Sequence, residues 1–395
     1  MHSPDGEILS EECREQDGES TLAASNGRTR STQGRLRVAQ IGCGQIAPQH
    51  LKGYAEASLV DLAVVVDVDP AAARETAAAN GNVAWTTSFE EAIARDDVDM
   101  VSIATPHHFH APQAVAAAAA EKHVLCEKPL TTSLEEADRM IETCAQNGVQ
   151  LGMWMVMRYT GAARTSRALL QAGAIGNIVN IRLPDVHNKV RNYYQRGVGG
   201  RARPSQWRGS RTTSGGGALI MNAIHQIDAL RYITGLEVER VSAEWMNFTG
   251  LADVEDMINV VLRYNNGAIG TIDTANYAPG GGEAHVLRIY GTKGQIQIAR
   301  NSEVKAFVEE PFDAREGLPA LQPNEWQDVP SESDGNTRAL LVDDFARAVL
   351  SSTQPPVSGQ DGRAALATIM AAYQSAEHGQ TVKLAGVTAR VAVTA

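Results

Sequence analysis

The amino-acid sequence predicts an α/β protein in which an N-terminal domain on a parallel sheet precedes a C-terminal α+β domain on a large, mostly antiparallel open sheet. Its 395 residues exceed what one ordinary hydrophobic core organises, so two domains are expected. From Arg35 to about Met155, short apolar strands alternate with alanine-rich helices, which is typical of a parallel sheet covered on both faces. After Arg158 the strands are longer and alternate in polarity, which favours antiparallel pairing. We therefore expect residues 35–156 and 157–395 to form the two domains.

The predicted elements follow in chain order. In the first domain we expect strands at 36–41, 60–66, 83–85, 100–104, 124–126 and 149–153, and helices at 70–80, 88–95, 111–121 and 133–147. In the second we expect strands at 178–183, 238–248, 257–264, 268–276, 285–290 and 295–299, and helices at 218–234, 337–350 and 361–377. The turn Asn265-Asn266-Gly267 predicts a β-hairpin between two of these strands.

Composition excludes several classes of function. Residues 1–34 carry seven acidic and three basic side chains with almost no large apolar ones, and we interpret them as a disordered tail. The net charge of −11 argues against a nucleic-acid partner, which requires a basic face. No stretch approaches the roughly 20 apolar residues that span a bilayer, and none near the start is long enough for a secretory signal. We expect a cytoplasmic protein.

The four cysteines, Cys13, Cys43, Cys126 and Cys144, show no paired spacing of the metal-binding or redox type. Small buried thiols are the simplest interpretation of Cys43 and Cys126.

A glycine-rich turn follows the first strand. Gly42 permits a tight bend, and Gly44 lets the main chain approach a pyrophosphate with no Cβ in the way. The amides of Gln45 and Ile46 then open a helix toward the phosphates, and Ala47 is small enough for close helix–strand packing. A strand, a glycine turn, a helix and a later acidic residue together predict a Rossmann dinucleotide-binding domain.

The acidic residue is Asp67, at the end of the second strand, where a carboxylate accepts both hydroxyls of an adenosine ribose. No arginine follows it, and a 2′-phosphate would meet negative charge, so NAD is favoured over NADP. In the alternative interpretation Asp67 only precedes the next helix as a cap, a role that Asp69 can fill before Pro70.

Lys128 lies in Glu127-Lys128-Pro129, directly after the apolar strand His123-Val124-Leu125-Cys126. Pro129 has no amide hydrogen and a fixed φ, so the strand stops there and the amine projects from a rigid end. The carboxyl ends of parallel strands are where open α/β sheets bind ligands. We therefore expect Lys128 to face the cofactor.

With these motifs placed, the chain from about Arg35 onward resembles the Gfo/Idh/MocA oxidoreductase family. The resemblance rests on four segments: the turn at Gly42, residues 104–110 (Ala-Thr-Pro-His-His-Phe-His), Glu127-Lys128-Pro129, and Gly215-Gly216-Gly217 leading to His225 and Asp228. It implies a Rossmann domain and an open-faced α/β domain, with nicotinamide and substrate in the cleft between them. It also implies cofactor contacts by Thr105, Pro106, His107, His110, Glu127 and Lys128.

The resemblance further implies a proton relay of lysine, aspartate and histidine, in which Lys128 and His225 match. The aspartate expected four residues before His225 is Met221, and the nearest polar residue is Asn222. Oxidation of a secondary alcohol still needs only one base near the hydroxyl proton. We favour His225 as that base and Lys128 as the group that polarises the oxygen; Lys128 as base, or a structural His225, are the alternatives.

Three further features are open at this stage. Arg158 contacts cofactor or substrate, or pairs across the domain boundary, and Asp228 belongs to a packing network or orients His225. The histidines at 107, 108 and 110 suggest a metal cluster, but the resemblance favours cofactor and helix-start packing, so we expect no metal.

Seven basic residues and no acidic one lie between Asn188 and Ser214: Lys189, Arg191, Arg196, Arg201, Arg203, Arg208 and Arg211. One hypothesis is an active-site loop for an anionic substrate, such as a uronate, a sugar phosphate or a nucleotide sugar, with Trp207 stacked on a sugar ring. The alternative is a solvated or subunit-contact loop.

The sequence thus predicts an NAD-dependent dehydrogenase that oxidises a secondary alcohol of a sugar, sugar derivative or cyclitol, with a homodimer or homotetramer expected from the resemblance. Two alternatives stay open: an enzyme that uses transient oxidation to drive elimination or glycoside cleavage, and a cofactor-sensing regulatory protein in which Met221 records lost chemistry.

Overall fold

The computed structural model describes residues 34–189, 192–195, 206–279, 285–299 and 302–386. Almost all of the predicted N-terminal tail, residues 1–33, lies outside the described residues. So do Arg191, Arg196, Arg201 and Arg203 of the basic segment.

The first sheet has six strands, all parallel, in the spatial order β3-β2-β1-β4-β5-β6. Its strands are β1 Leu36–Ile41, β2 Val60–Val66, β3 Ala84–Thr86, β4 Met100–Ile103, β5 His123–Cys126 and β6 Leu151–Met153. Between them run α1 Ala47–Glu56, α2 Pro70–Ala79, α3 Phe89–Ile93, α4 His110–Ala119 and α5 Leu134–Gln146. This order reverses between β1 and β4, and a ligand crevice is expected above that point. The predicted Rossmann fold is confirmed.

The second sheet has nine strands in the order β14-β13-β12-β11-β7-β10-β9-β8-β15. They are β7 Ile178–Val186, β8 Val238–Met246, β9 Met257–Tyr264, β10 Ile269–Ala275, β11 Val286–Gly291, β12 Gly294–Ala299, β13 Val304–Val308, β14 Trp326–Val329 and β15 Val382–Lys383. The pair β7 and β10 is parallel and the other pairs are antiparallel. The predicted, mostly antiparallel sheet is confirmed, as is the hairpin, because β9 and β10 pair across Asn265-Asn266-Gly267.

Among the described residues, six helices accompany the second sheet: α6 Gly161–Gln171, α7 Asn192–Gln195, α8 Arg211–Ser214, α9 Ile224–Thr234, α10 Thr337–Leu350 and α11 Gly359–His378. The predicted helix 218–234 is not a regular α-helix, since Leu219–Ala223 forms a π-helical turn before α9. The helices α6, α7 and α8 and the strands β13, β14 and β15 were not predicted.

The last two long helices return to the first sheet. The aromatic ring of Phe345 on α10 packs so closely on Gly152 of β6 that a Cβ there would lie 2.5 Å from it. The carboxylate of Asp343 accepts the main-chain amides of Ser58 and Leu59, which precede β2. On α11, Arg363 forms an ion pair with Asp138 of α5. Residues late in the chain therefore cover part of the N-terminal sheet.

Candidate active site

The glycine turn after β1 has the geometry that its sequence predicts. Gly42 has φ +91°, and its amide donates to the carbonyl of Val66 at 2.8 Å. A Cβ at Gly42 would lie 2.7 Å from the carbonyl oxygen of Ala104, so β1 and the end of β4 approach too closely for a side chain. At Gly44, by contrast, nothing lies within 4 Å of a built Cβ among the described atoms. Gly42 therefore serves the fold, and Gly44 leaves space open above the turn.

Asp67 lies at the end of β2, beside this turn. Its carboxylate accepts the amides of Cys43 at 2.9 Å and Asp69 at 3.0 Å. The cap of α2 is Asp69, which accepts the amides of Ala71 and Ala72. The geometry thus separates the two residues: Asp69 stabilises the helix, and Asp67 is oriented by the glycine turn.

The segment after β4 is fixed by its histidines. His110 has one ring nitrogen 2.9 Å from the carbonyl oxygen of Thr105 and the other 2.8 Å from that of Pro129. His107 Nδ1 lies 2.7 Å from the carbonyl oxygen of Ser214, across the cleft between the two sheets. Burial lowers the pKa of both imidazoles. These side chains join main-chain segments, including the loop that carries Lys128.

Lys128 projects from the end of β5 into the cleft. Its Nζ donates to the main-chain carbonyl of Met221 at 2.7 Å, within the π-helical turn of the second domain. The Lys128-Pro129 peptide bond is cis. Burial lowers the pKa of the Lys128 amine, although the carboxylate of Glu127 acts in the opposite direction.

Glu127 is held by residues that the sequence analysis did not identify. Its carboxylate lies 2.9 Å from Nε2 of His50 on α1 and accepts the Lys128 amide at 3.0 Å. The His50 ring stacks on Trp154 with centroids 4.2 Å apart. Burial opposes ionisation of Glu127, but the hydrogen bond and charge of His50, with the charge of Lys128, lower its pKa to about 2. Glu127 therefore places a negative charge beside the lysine.

The turn Gly215-Gly216-Gly217 starts the π-helical segment over a buried acid. Glu255 accepts the amides of Gly217 at 2.6 Å and Leu219 at 2.9 Å, and the hydroxyl of Tyr373 at 2.8 Å. A Cβ at Gly217 would lie 1.9 Å from the carbonyl oxygen of Glu255. The glycines thus permit a close approach that anchors the segment carrying Met221.

His225 lies in the first turn of α9, next to this segment. Its buried Nδ1 has no hydrogen-bond partner within the part of the chain that the structure describes. Burial, followed by the positive charge of Lys128, lowers the pKa of His225 to about 3. Arg338 on α10 contributes to the same shift. The imidazole is therefore neutral at physiological pH, and one of its ring nitrogens is not used by the described protein groups.

Asn222 lies between His225 and the basic segment. Its amide donates to Asn276 Oδ1 at 2.7 Å, and its oxygen accepts from the Lys189 ammonium. Asn276 in turn donates to the Tyr194 hydroxyl at 2.9 Å. This network orients the polar residue beside Met221.

Arg158 forms its ion pairs with residues other than those of the glycine turn. Its guanidinium pairs with both oxygens of Asp228, at 2.8 and 2.5 Å, and with Asp361 at 2.9 Å. Asp228 is fully buried, and a buried acid of this kind needs the compensation that the arginine supplies. Of the alternatives left open by the sequence, the geometry favours a packing pair between the segment after β6 and helices α9 and α11.

The described arginines of the basic segment, Arg208 and Arg211, lie in different surroundings. Arg208 Nη2 donates to Gln45 Oε1 of the glycine turn at 3.2 Å and lies over the ring of Trp207. Trp207 in turn packs edge-on against His107, with centroids 4.6 Å apart. Arg211, however, pairs with Glu377 at the surface. Arg208 and Trp207 thus face the cleft, and Arg211 does not.

The comparisons with known proteins agree with this architecture. The model of an oxidoreductase family with an NAD-binding Rossmann fold matches residues 36–154, and that of the family's C-terminal α/β domain matches residues 167–384. Levoglucosan dehydrogenase from Pseudarthrobacter phenanthrenivorans is 29% identical over 71% of this chain and 78% of its own length. The 1,5-anhydro-D-fructose reductase of Ensifer adhaerens is 28% identical over 87% of this chain and 97% of its own.

A solved structure of levoglucosan dehydrogenase in complex with NADH and levoglucosan has a TM-score of 0.78 at 26% identity, covering 89% of this chain and all of that one. The fold and site thus define a Rossmann-type oxidoreductase with a C-terminal α/β domain. The chain belongs to the Gfo/Idh/MocA oxidoreductase family.

Proposed function

We propose that this protein is an NAD-dependent dehydrogenase that transfers hydride between a secondary alcohol of a sugar, sugar derivative or cyclitol and nicotinamide. The observation that carries the proposal is the meeting of Lys128, from the end of β5, with the segment that presents His225, through the 2.7 Å bond to Met221. An amine and a neutral imidazole then face one cleft, each supplied by a different domain.

For the cofactor, Gly44, Gln45 and Ile46 would hold the phosphates and Asp67 would bind the adenosine ribose. Thr105, Pro106, His107 and His110 line the approach to Lys128. A dinucleotide bound by these residues would supply the nicotinamide that takes up the hydride. The preference for NAD rests on Asp67, whose carboxylate is already oriented by two amides and would repel a 2′-phosphate.

For the substrate, we propose that Lys128 polarises the reacting oxygen and that His225 takes the hydroxyl proton. The unpartnered Nδ1 of His225 supports this, since a neutral imidazole nitrogen accepts a proton. With a pKa lowered to about 3 the imidazole is a weak base, so the proton leaves Nδ1 for solvent water as the hydride leaves the carbon. Asn222, Trp207 and Arg208 are the proposed substrate contacts; Arg158, held by two carboxylates, has the weakest support.

A panel of sugars, uronates and inositols, assayed for NAD reduction by absorbance, tests the proposal. A dehydrogenase gives net NADH with at least one of them. An eliminating enzyme gives hydride exchange without net NADH, and a regulator that senses cofactor gives neither, so either outcome contradicts the proposal.

Cofactor preference is tested separately. Asp67→Ala should raise the KM for NAD and narrow the preference over NADP. The control is Asp69→Ala, which removes a helix cap worth about 1 kcal/mol of stability and should leave the preference unchanged. Wild-type turnover that is equal with the two cofactors would show the proposal for Asp67 to be wrong.

Assembly and location are also proposals. Side chains of Val179, Val261 and Ile269 are exposed on β7, β9 and β10, which supports a homodimer or homotetramer through the second sheet. No helix among the described residues has the length and apolar character needed to cross a membrane. The buried thiols of Cys126 and Cys144 form no disulfide among the described residues, which supports a cytoplasmic location.

A further inference from the structure

We propose that Asp185, His187 and His285 form a binding site for a divalent transition-metal cation at the edge of the substrate cleft. Asp185 and His187 lie on one face at the carboxyl end of β7, and His285 immediately precedes β11, the neighbouring strand. No short sequence motif marks this group, because about 100 residues separate His285 from the other two along the chain.

The spacing of the three side chains suits a metal ion. Asp185 Oδ1 lies 3.0 Å from His187 Nε2 and 3.7 Å from His285 Nδ1. One ligand atom from each residue lies within 4.8 Å of the others. In a tetrahedral site with metal–ligand bonds of about 2.0 Å, ligand atoms are about 3.3 Å apart. Small side-chain adjustments therefore bring all three atoms to coordinating distance.

The hydrogen bonds around the cluster select the ligand atoms. His285 Nε2 donates to the main-chain carbonyl of Val186, which leaves Nδ1 as the nitrogen with the lone pair, and Nδ1 is directed at Asp185. Metal-binding histidines commonly have their second nitrogen fixed by a carbonyl in this way. A lone pair and a carboxylate oxygen facing each other require a cation or a proton between them.

The negative charge of the buried Asp185 carboxylate also favours a bound cation. Asp185 is fully buried, and no lysine or arginine forms an ion pair with it in the described ranges. Its oxygens accept instead from the neutral Gln226 amide at 2.9 Å and, weakly, from the Thr274 hydroxyl at 3.5 Å. A carboxylate buried in this way is costly without a cationic partner. The charge of Lys128 acts on Asp185 without a direct ion pair, and a metal bound between the three side chains would neutralise the carboxylate directly.

Two imidazoles and one carboxylate form a ligand set for Zn²⁺ and the neighbouring first-row cations, and three protein ligands leave a position open. Gln226, which orients Asp185, is adjacent to His225 on α9. A metal here would face the proposed substrate position and could bind a hydroxyl or carboxylate oxygen. No redox or covalent step is involved.

The test is metal binding by the full chain without turnover. Protein stripped with a chelator and titrated with Zn²⁺ should bind one equivalent, by calorimetry and by elemental analysis after dialysis. His187→Ala and His285→Ala should each weaken binding by about tenfold or more. His378→Ala, which removes an exposed histidine at the end of α11, is the matched control and should bind like the wild type.

Asp185→Asn tests the charge while keeping the size of the side chain, and thermal melting of every variant checks that it folds. The inference is overturned if the stripped wild type binds no Zn²⁺, or if both histidine variants bind Zn²⁺ as tightly as the wild type does. A protonated histidine as the compensating cation gives the first of these results. Because the inference goes beyond the proposed function and uses no turnover, the two can fail independently.

Discussion

The ammonium nitrogen of Lys128 lies 2.7 Å from the main-chain carbonyl oxygen of Met221, the residue at the position where the family resemblance implies an aspartate. The lysine therefore retains a polar partner although the side chain at 221 is apolar. The π-helical turn Leu219–Ala223 favours this contact, because the wider turn changes which main-chain carbonyls accept hydrogen bonds within the helix.

This contact predicts different results for its two residues. Lys128→Met should lower kcat by about 10²- to 10⁴-fold, because the group that polarises the oxygen is lost. Met221→Leu should change kcat by less than about twofold, because the main-chain carbonyl remains and the volume is conserved. Steady-state kinetics measures both, with exposed Lys52→Met as the control for loss of a lysine. Equal losses in Lys128→Met and Met221→Leu would mean that the side chain at 221 takes part.

The two turn glycines should respond oppositely to alanine. Gly42→Ala should destabilise the fold by about 2 kcal/mol or more, since a positive φ and a clash with Ala104 both oppose it. Gly44→Ala has neither problem within the described structure and should unfold like the wild type, but weaken NAD binding because its Cβ would stand where the pyrophosphate approaches. Urea unfolding and NAD titration separate the two effects. Wild-type NAD affinity in Gly44→Ala would place the phosphates elsewhere.

The pH dependence of kcat/KM should be flat on the acidic side. With a pKa lowered to about 3, His225 stays neutral at every pH above that value and remains able to accept a proton. Lys128 must be protonated to polarise oxygen, so activity should fall with rising pH through a pKa below the ordinary 10.5, and Lys128→Arg should move that limb upward. An acidic limb with an apparent pKa of about 6 to 7 contradicts this assignment.

Two arginines of the basic segment, Arg208 and Arg211, should respond differently to substitution. Arg208→Gln should raise the KM for acidic substrates or for the cofactor, since the guanidinium reaches Gln45 at 3.2 Å. Arg211→Gln should leave both constants near the wild-type values, because Arg211 pairs with Glu377 on the surface. If neither variant changes a KM, the hypothesis of an anionic substrate fails.

The fold was largely predictable because strand and helix periodicity is a local property of the chain. The predicted β9 and α10 coincide with the observed bounds. Strand β14 was missed because it has only four residues and two of them, Gln327 and Asp328, are polar. The π-helical turn was missed because its residues, 219–223, read as ordinary apolar helix, and its start depends on Glu255, more than thirty residues away.

The residues of the candidate site that lie in short motifs were predictable from the sequence, and their distant partners were not. Gly42, Asp67 and Lys128 were identified because each lies at a strand end within a short motif. The support of Glu127 by His50 was not, because 77 residues separate them and the sheet brings them together. The partners of Arg158 could not be predicted either, since α9 and α11 supply one carboxylate each.

The packing of α10 and α11 on the first sheet has a consequence for how the protein is made. Phe345 and Arg363, which touch β6 and α5, leave the ribosome more than 180 residues after those elements. During synthesis, the surface that they cover on the nucleotide-binding half stays exposed until α10 and α11 have been made. A chain truncated after the second sheet would lack these helices, and with them part of the covering of its N-terminal half.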